Sequence, residues 1–162
     1  MAINKDKKNN ILERLDKVFS EAKSAAFVNF HGLSVSSATE LRKKLREESV
    51  DYFVAKKTLI RKALTGKKVE GEIPTLEGEV GVAWSKDETA PAREIHAFAK
   101  KLGQGLQLIG GIFEGKFFGK EDMINVAMIP DKKTLYAQFV NVINSPIQGF
   151  VVALSKIAEK KV

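Results

Sequence analysis

Apolar positions follow two rhythms along this chain. Ile11, Leu12, Leu15, Val18, Phe19 and Ala22 recur at three- and four-residue steps, which predicts an amphipathic helix over 6–23. The short apolar run AAFVNF (25–30), ending at His31-Gly32, reads as a buried strand. Ser37 with Glu40 forms a capping box ahead of Leu41 and Leu45, so a second helix is expected to run to about Glu48. VDYFVA (50–55) is the next strand, and KKTLIRKAL (56–64) a helix stopped at Gly66. After an irregular, turn-rich stretch at 65–78, EVGVAWS (79–85) alternates like a strand. Residues 90–102 then turn Ile95, Phe98, Ala99 and Leu102 inward on a helix. LQLIGGIF (106–113) and KFF (116–118) flank Glu114-Gly115 as a hairpin, and a short helix at 121–127 ends before Ile129-Pro130. Everything from Asp131 onward is helical in pattern. Helices interleave with strands, but the hairpin implies a mixed, partly antiparallel sheet. The expected class is therefore α+β, with packed helices and an extended C-terminal helix.

That last helix carries an unusual pattern. At 100° per residue, Phe139, Val140, Ile143, Ile147, Phe150, Val151, Leu154, Ile157 and Ala158 share an arc of about 120°. Asn141, Gln148, Ser155 and Glu159 lie opposite. FVNVINSPIQG (139–149) also aligns with FVVALSKIAEK (150–160) at a period of eleven, pairing Phe139 with Phe150, Val140 with Val151, Ile143 with Leu154 and Ile147 with Ala158. Eleven residues make almost three whole turns, so the repeat holds to one face. Leaving the stripe in water forgoes on the order of 10 kcal/mol of burial, at roughly 1.5–3 per large side chain. It either packs on the protein's own sheet or forms a two-slot strip for another chain; the repeat favours the strip. Pro146 removes a backbone donor and disfavours an α conformation at Ser145, so a kink or a new helix is expected there.

Charge sharpens the picture of the first half. Residues 1–68 hold 16 Lys/Arg against 8 Asp/Glu, and residues 69–162 hold 11 against 12, so the net +7 lies wholly in the N-terminal part. Three clusters account for much of it: Lys5, Lys7 and Lys8; Arg42, Lys43, Lys44 and Arg46; and Lys56, Lys57, Arg61 and Lys62, with Lys67 and Lys68 just beyond. Such asymmetry points to a polyanionic partner, the alternative being a solubilising surface. Few aromatics interleave with the basic residues, which suggests backbone contact rather than stacking on single strands. With no helix-turn-helix, zinc finger or RNP pattern, shape-reading of folded RNA fits better than sequence-reading of DNA.

Other chemistry is scarce. There are no cysteines and two histidines, His31 and His96, so zinc-type ligand spacing and thiolate catalysis are excluded and no metal or cofactor is expected. Gly110-Gly111 has neither a P-loop nor a GxGxxG context, and reads as a strand bulge or bend. The polar N-terminus and the lack of a long uninterrupted apolar run predict a cytoplasmic protein without a membrane partner.

Taken in order, FHGLSVSSATELRKKLR, VAKKTLIRKAL, IFEGKFF, IPDKKTLYAQFV and SPIQGFVVALSKI resemble the bacterial large ribosomal subunit protein ten family over nearly the whole chain. Lys56-Lys57-Thr58-Leu59 stands where members commonly have Lys/Arg-Asn-Thr-Leu, and His31-Gly32 where they often have Arg-Gly. The resemblance implies a non-enzymatic protein of the ribosomal stalk base. Residues 1–130 would be an α+β domain on large-subunit ribosomal RNA, beside ribosomal protein eleven, with His31 and Gly32 among the RNA-facing positions. Residues 131–162 would carry dimers of the acidic stalk protein seven/twelve, which recruit translation-factor GTPases, and the two-copy repeat sets their number at two. Binding to the leader of its own message is a further implication. The competing reading is a free RNA-binding regulator that dimerises through its C-terminal helix.

Overall fold

The computed structural model describes residues 5–66, 69–71, 74–76, 78–103 and 105–160, with Lys5 described in its backbone only. Lys67, Lys68 and the Lys5 side chain therefore lie outside the described residues. The chain divides into two compact units, Met1–Ile129 and Pro130–Val162.

The first unit is built on one strand. In β1 (Ser24–Asn29) the side chains of Ala25, Ala26, Phe27 and Val28 are all at most 2% exposed. A strand buried on both faces needs both its backbone edges paired as well. β3 (Val80–Ser85) supplies one edge and β4 (Gln107–Phe113) the other, each antiparallel to β1. β2 (Asp51–Val54) adds to β3, and β5 (Lys116–Phe118) adds to β4, giving the order β2-β3-β1-β4-β5. The α+β class is as expected, and all four pairings between named strands are antiparallel. Among the described residues the parallel element is one isolated bridge, Glu70 to Lys116. At the β4–β5 turn Glu114 and Gly115 have φ of 49° and 75°, the positive pair that a two-residue hairpin turn requires. The β1–β4 register shifts between Phe27 and Val28, which face Gly110 and Leu108 in turn, so Ile109 is the extra residue of a bulge beside the paired glycines.

Alternation along β1 sends Ala26 and Val28 to one face and Ala25 and Phe27 to the other, and the helices divide accordingly. α2 (Val35–Glu47), α4 (Ala90–Leu102) and α5 (Lys120–Ala127) cover the first face, through Leu41, Leu45, Ile95, Phe98 and Met123. α1 (Lys5–Glu21) and α3 (Lys57–Thr65) cover the second, through Leu15, Leu59, Ile60 and Leu64. One boundary differs from expectation. The cap of α2 is Ser34, extended at φ −67° and ψ 155°, whose Oγ accepts from the Ser37 amide at 3.1 Å; Ser37 and Glu40 lie inside the helix.

The second unit is α6 (Lys132–Lys160), a helix of 29 residues that continues through Pro146, so no new helix starts there. Proline forfeits its own amide bond, but the turns on either side remain helical.

Tyr52, on edge strand β2, leans over Gly81 of β3. A Cβ at Gly81 would overlap the Tyr52 hydroxyl and lie 2.6 Å from its Cζ. Burial pushes the Tyr52 pKa up to about 12, against a smaller lowering from nearby Arg42. Gly81→Ala is expected to cost about 1–3 kcal/mol, because the Tyr52 ring must swing away and give up its packing on the core. A lowered urea midpoint at unchanged slope would be that outcome, and an unchanged midpoint would contradict it.

Candidate nucleic-acid interface

The three basic clusters do not form one surface. α3 carries Lys57, Arg61 and Lys62 on its solvent side while Leu59, Ile60, Ala63 and Leu64 are buried, so the cationic row is what amphipathicity leaves outside. Lys56 is the N-cap residue and provides no side-chain cap, and no acidic residue stands in the first turn. Cations at a helix N-terminus oppose the macrodipole, so an anion placed there would be favoured by both the charges and the free amides.

α1 packs with α3 on this face. Lys7 and Lys8 precede by one turn Ile11, which lines the same recess as Lys56 and Lys57. Phe30 lines that recess too, and it leads directly into His31 and Gly32. There the His31 amide donates to Asn29 Oδ1 at 3.1 Å, and Gly32 turns the chain at φ 80°. Lys7, Lys8, Lys56, Lys57, Arg61 and Lys62 thus belong to one side of the unit, whereas His31 and Gly32 lie past the end of β1 beside Gly105, and Phe30 packs on the α2–α4 cluster as well. Among the described residues, none of Lys7, Lys8, Lys56, Lys57, Arg61 and Lys62 is ion-paired within 4 Å.

Arg42, Lys43 and Arg46 are equally exposed, but α2 covers the opposite face of the sheet. There the structure adds Lys101 to the cluster that the sequence pattern singled out. Lys44 Nζ sits 5.7 Å from the Phe98 ring centroid, and the Lys44 and Lys101 side chains are within hydrogen-bond reach of each other. That contact, with the repulsion between the two charges, lowers the Lys101 pKa below the ordinary lysine value. Lys100 and Lys101 look in the sequence like a routine basic last turn of α4. Only the α2–α4 packing reveals Lys101 as an extension of the α2 cluster.

Among the described residues no group of His, Asp and Glu could hold a metal ion. Tyr52, facing Arg42, and Lys101 are the two described groups with shifted pKa values, and neither stands beside a nucleophile and base arranged for catalysis.

All nine residues of the C-terminal stripe are exposed. Phe139 is 66% exposed, Phe150 65% and Ile147 61%, while Leu154, the least open of the large ones, is 50% exposed. Tyr136, at 70%, belongs with them: it precedes Ile147 by eleven residues and falls within the same arc. The repeat would have found it had the alignment been carried upstream of Phe139. By length and composition α6 could also cross a membrane. This corrects the expectation from uninterrupted runs, because Asn141, Asn144 and Gln148 break the run without much lowering the average. A span needs apolar residues all round, whereas here polar residues collect on one side, a pattern that suits a partner covering the other.

Replacing Lys44 with Met is expected to raise the Lys101 pKa toward the ordinary lysine value, followed by an NMR pH titration of its side chain. A titration that does not move would contradict the like-charge contact.

The model of the family described as Ribosomal protein L10 matches residues 3–100. The chain is 33% identical to the large ribosomal subunit protein uL10 of Bacillus licheniformis over 155 residues, covering 95% of this chain and 93% of that protein. Against the proteins of the same name from Alkaliphilus metalliredigens and Staphylococcus carnosus the identities are 34% and 33%, with the same coverage. With its basic α+β unit and its exposed apolar helix, the chain belongs to the ribosomal protein L10 family.

Proposed function

We propose that this protein joins ribosomal RNA to the ribosomal stalk, binding large-subunit rRNA through its first unit and two dimers of the acidic stalk protein seven/twelve along α6. Family membership makes it a structural, non-enzymatic ribosomal protein of the large subunit. The finer assignment follows from the chemistry of its surfaces. The α1–α3 side presents unpaired cations and a helix N-terminus with no acidic residue, which suits a phosphate backbone. The stripe on α6 is exposed along its whole length and repeated once, which suits two copies of one helical partner. This exposed, repeated stripe is the observation that carries the reading. An acidic partner also suits α6 itself, where Lys132, Lys133, Lys156 and Lys160 stand against Glu159 alone. Ribosomal protein eleven would lie beside the RNA-bound unit in the cytoplasmic ribosome, and the leader of the protein's own message would be a second RNA for the same basic side.

Two experiments separate these roles. Replacing Lys57 and Arg61 with Gln should weaken rRNA binding and flatten the log–log salt slope by about 0.7–0.9 per lost phosphate contact. An unchanged slope would remove α3 from the interface. Phe150→Asp should lower the number of stalk dimers from two to one in native mass spectrometry of the copurified complex. A count still at two would break the slot assignment, and a pair of this protein's own chains would favour the self-dimerising regulator.

A further inference from the structure

A recess of about 610 Å³ opens between α1, the ends of β1 and β2, and the first turn of α3. This is within the size range of small-molecule sites. Its walls are apolar, from Ile11, Phe30, Val54, Ala55 and Leu59, while Lys56 and Lys57 stand at the start of α3 beside it and Glu79 lines another side. We propose that this recess receives one unstacked nucleobase of the bound RNA, so that the protein recognises a particular extruded base as well as the phosphate backbone. The inference rests on the RNA-binding reading above and adds to it a contact with a base.

The argument is one of matched chemistry. A nucleotide is a flat, largely apolar ring joined at one edge to an anionic phosphate. The recess likewise sets apolar side chains, an aromatic ring among them, beside two lysines at the start of α3. The two lysines and the free amides at the start of α3 would hold the phosphate outside. Glu79, exposed on another side of the recess, offers only acceptors when ionised, so it disfavours a second phosphate there and would take the donor groups of a base edge instead. Phe30 supplies a π-face, and every base can stack on one. A protein side chain could fill the apolar chamber, but it would bring no anion fixed beside it to meet Lys56 and Lys57.

The test fills the recess and leaves the charges in place. Ala55→Leu narrows it from the wall, and Thr58→Leu narrows it from an exposed position in the first turn of α3. Full-length chains would be titrated with a transcript of the organism's own large-subunit rRNA across a salt series. Bound RNA would be probed with dimethyl sulfate and a carbodiimide, which together report the pairing edges of all four bases. Each variant is expected to bind about tenfold more weakly, within the range for one lost base stack, at an unchanged salt slope. A base protected by the wild type should become reactive again. Thermal melts check that the variants fold, and the exposed Thr58 change keeps the test decisive should the Ala55 change unfold the chain. Wild-type affinity and an unchanged footprint in a folded variant would overturn base insertion. So would variants that bind RNA normally yet drop out of reconstituted subunits, an outcome that assigns the recess to a neighbouring protein. A wild-type chain that does not bind the transcript would overturn the RNA reading itself, and base insertion with it.

Discussion

The first unit depends on keeping the backbone of β1 fully paired while both its faces lie in apolar surroundings. A buried amide or carbonyl left without a partner costs about 1–3 kcal/mol, so the six residues Ser24–Asn29 can be central only if strands flank both edges. β3 and β4 meet that condition, and β2 and β5 close the outer edges of those two. The helices then have no freedom about sides, because the alternation of Ala25, Ala26, Phe27 and Val28 divides the core into two clusters. Charge distribution follows from that division. The basic rows of α2 and α3 are the solvent sides of helices laid on opposite faces, so the unit presents cations to two directions at once.

Several local choices in this unit work against isolated stability. Lysines stand at the start of α3, where the helix field favours anions. Lys44 and Lys101 lie close to each other although both are cationic, which lowers the Lys101 pKa. Places where a sequence departs from its own local rules mark function more often than error. A polyanion would relieve the first conflict if its phosphates lay at the start of α3, as the proposed RNA contact requires, and an anionic group over the α2–α4 side would relieve the second.

Much of the architecture is legible in the residues. The unbroken AAFV of β1 marks a strand covered on both sides, and Glu114-Gly115 marks a two-residue turn because each must take a positive φ. The amphipathic spacing of Leu41 and Leu45, and of Leu59, Ile60 and Leu64, separates the buried side of each helix from the basic one. What stays hidden is long-range. No local pattern tells that β3 inserts between β1 and β2, or that this makes the named pairings antiparallel throughout. The meeting of Lys44 with Lys101 arises from the packing of α2 on α4, which joins residues far apart in the chain. The α2 boundary misled for a local reason: Ser34, Ser36 and Ser37 are all competent caps, and only backbone geometry shows that Ser34 is the extended one. The recess at the start of α3 is likewise invisible beforehand, because α1, two strand ends and a loop each supply part of its wall.

The eleven-residue period of α6 also sets a ruler. Eleven residues at 1.5 Å each place equivalent side chains about 16 Å apart along the axis, turned by only about 20° from one another. Phe139 and Phe150 therefore point almost the same way, one above the other. Whatever covers the first copy has about 16 Å of rod before it meets its neighbour, little more than the width of one helix with its side chains. Thickness along the rod, as much as affinity, limits what can occupy both copies together. A bulky occupant of one would exclude the other, while slender helical ones can sit side by side.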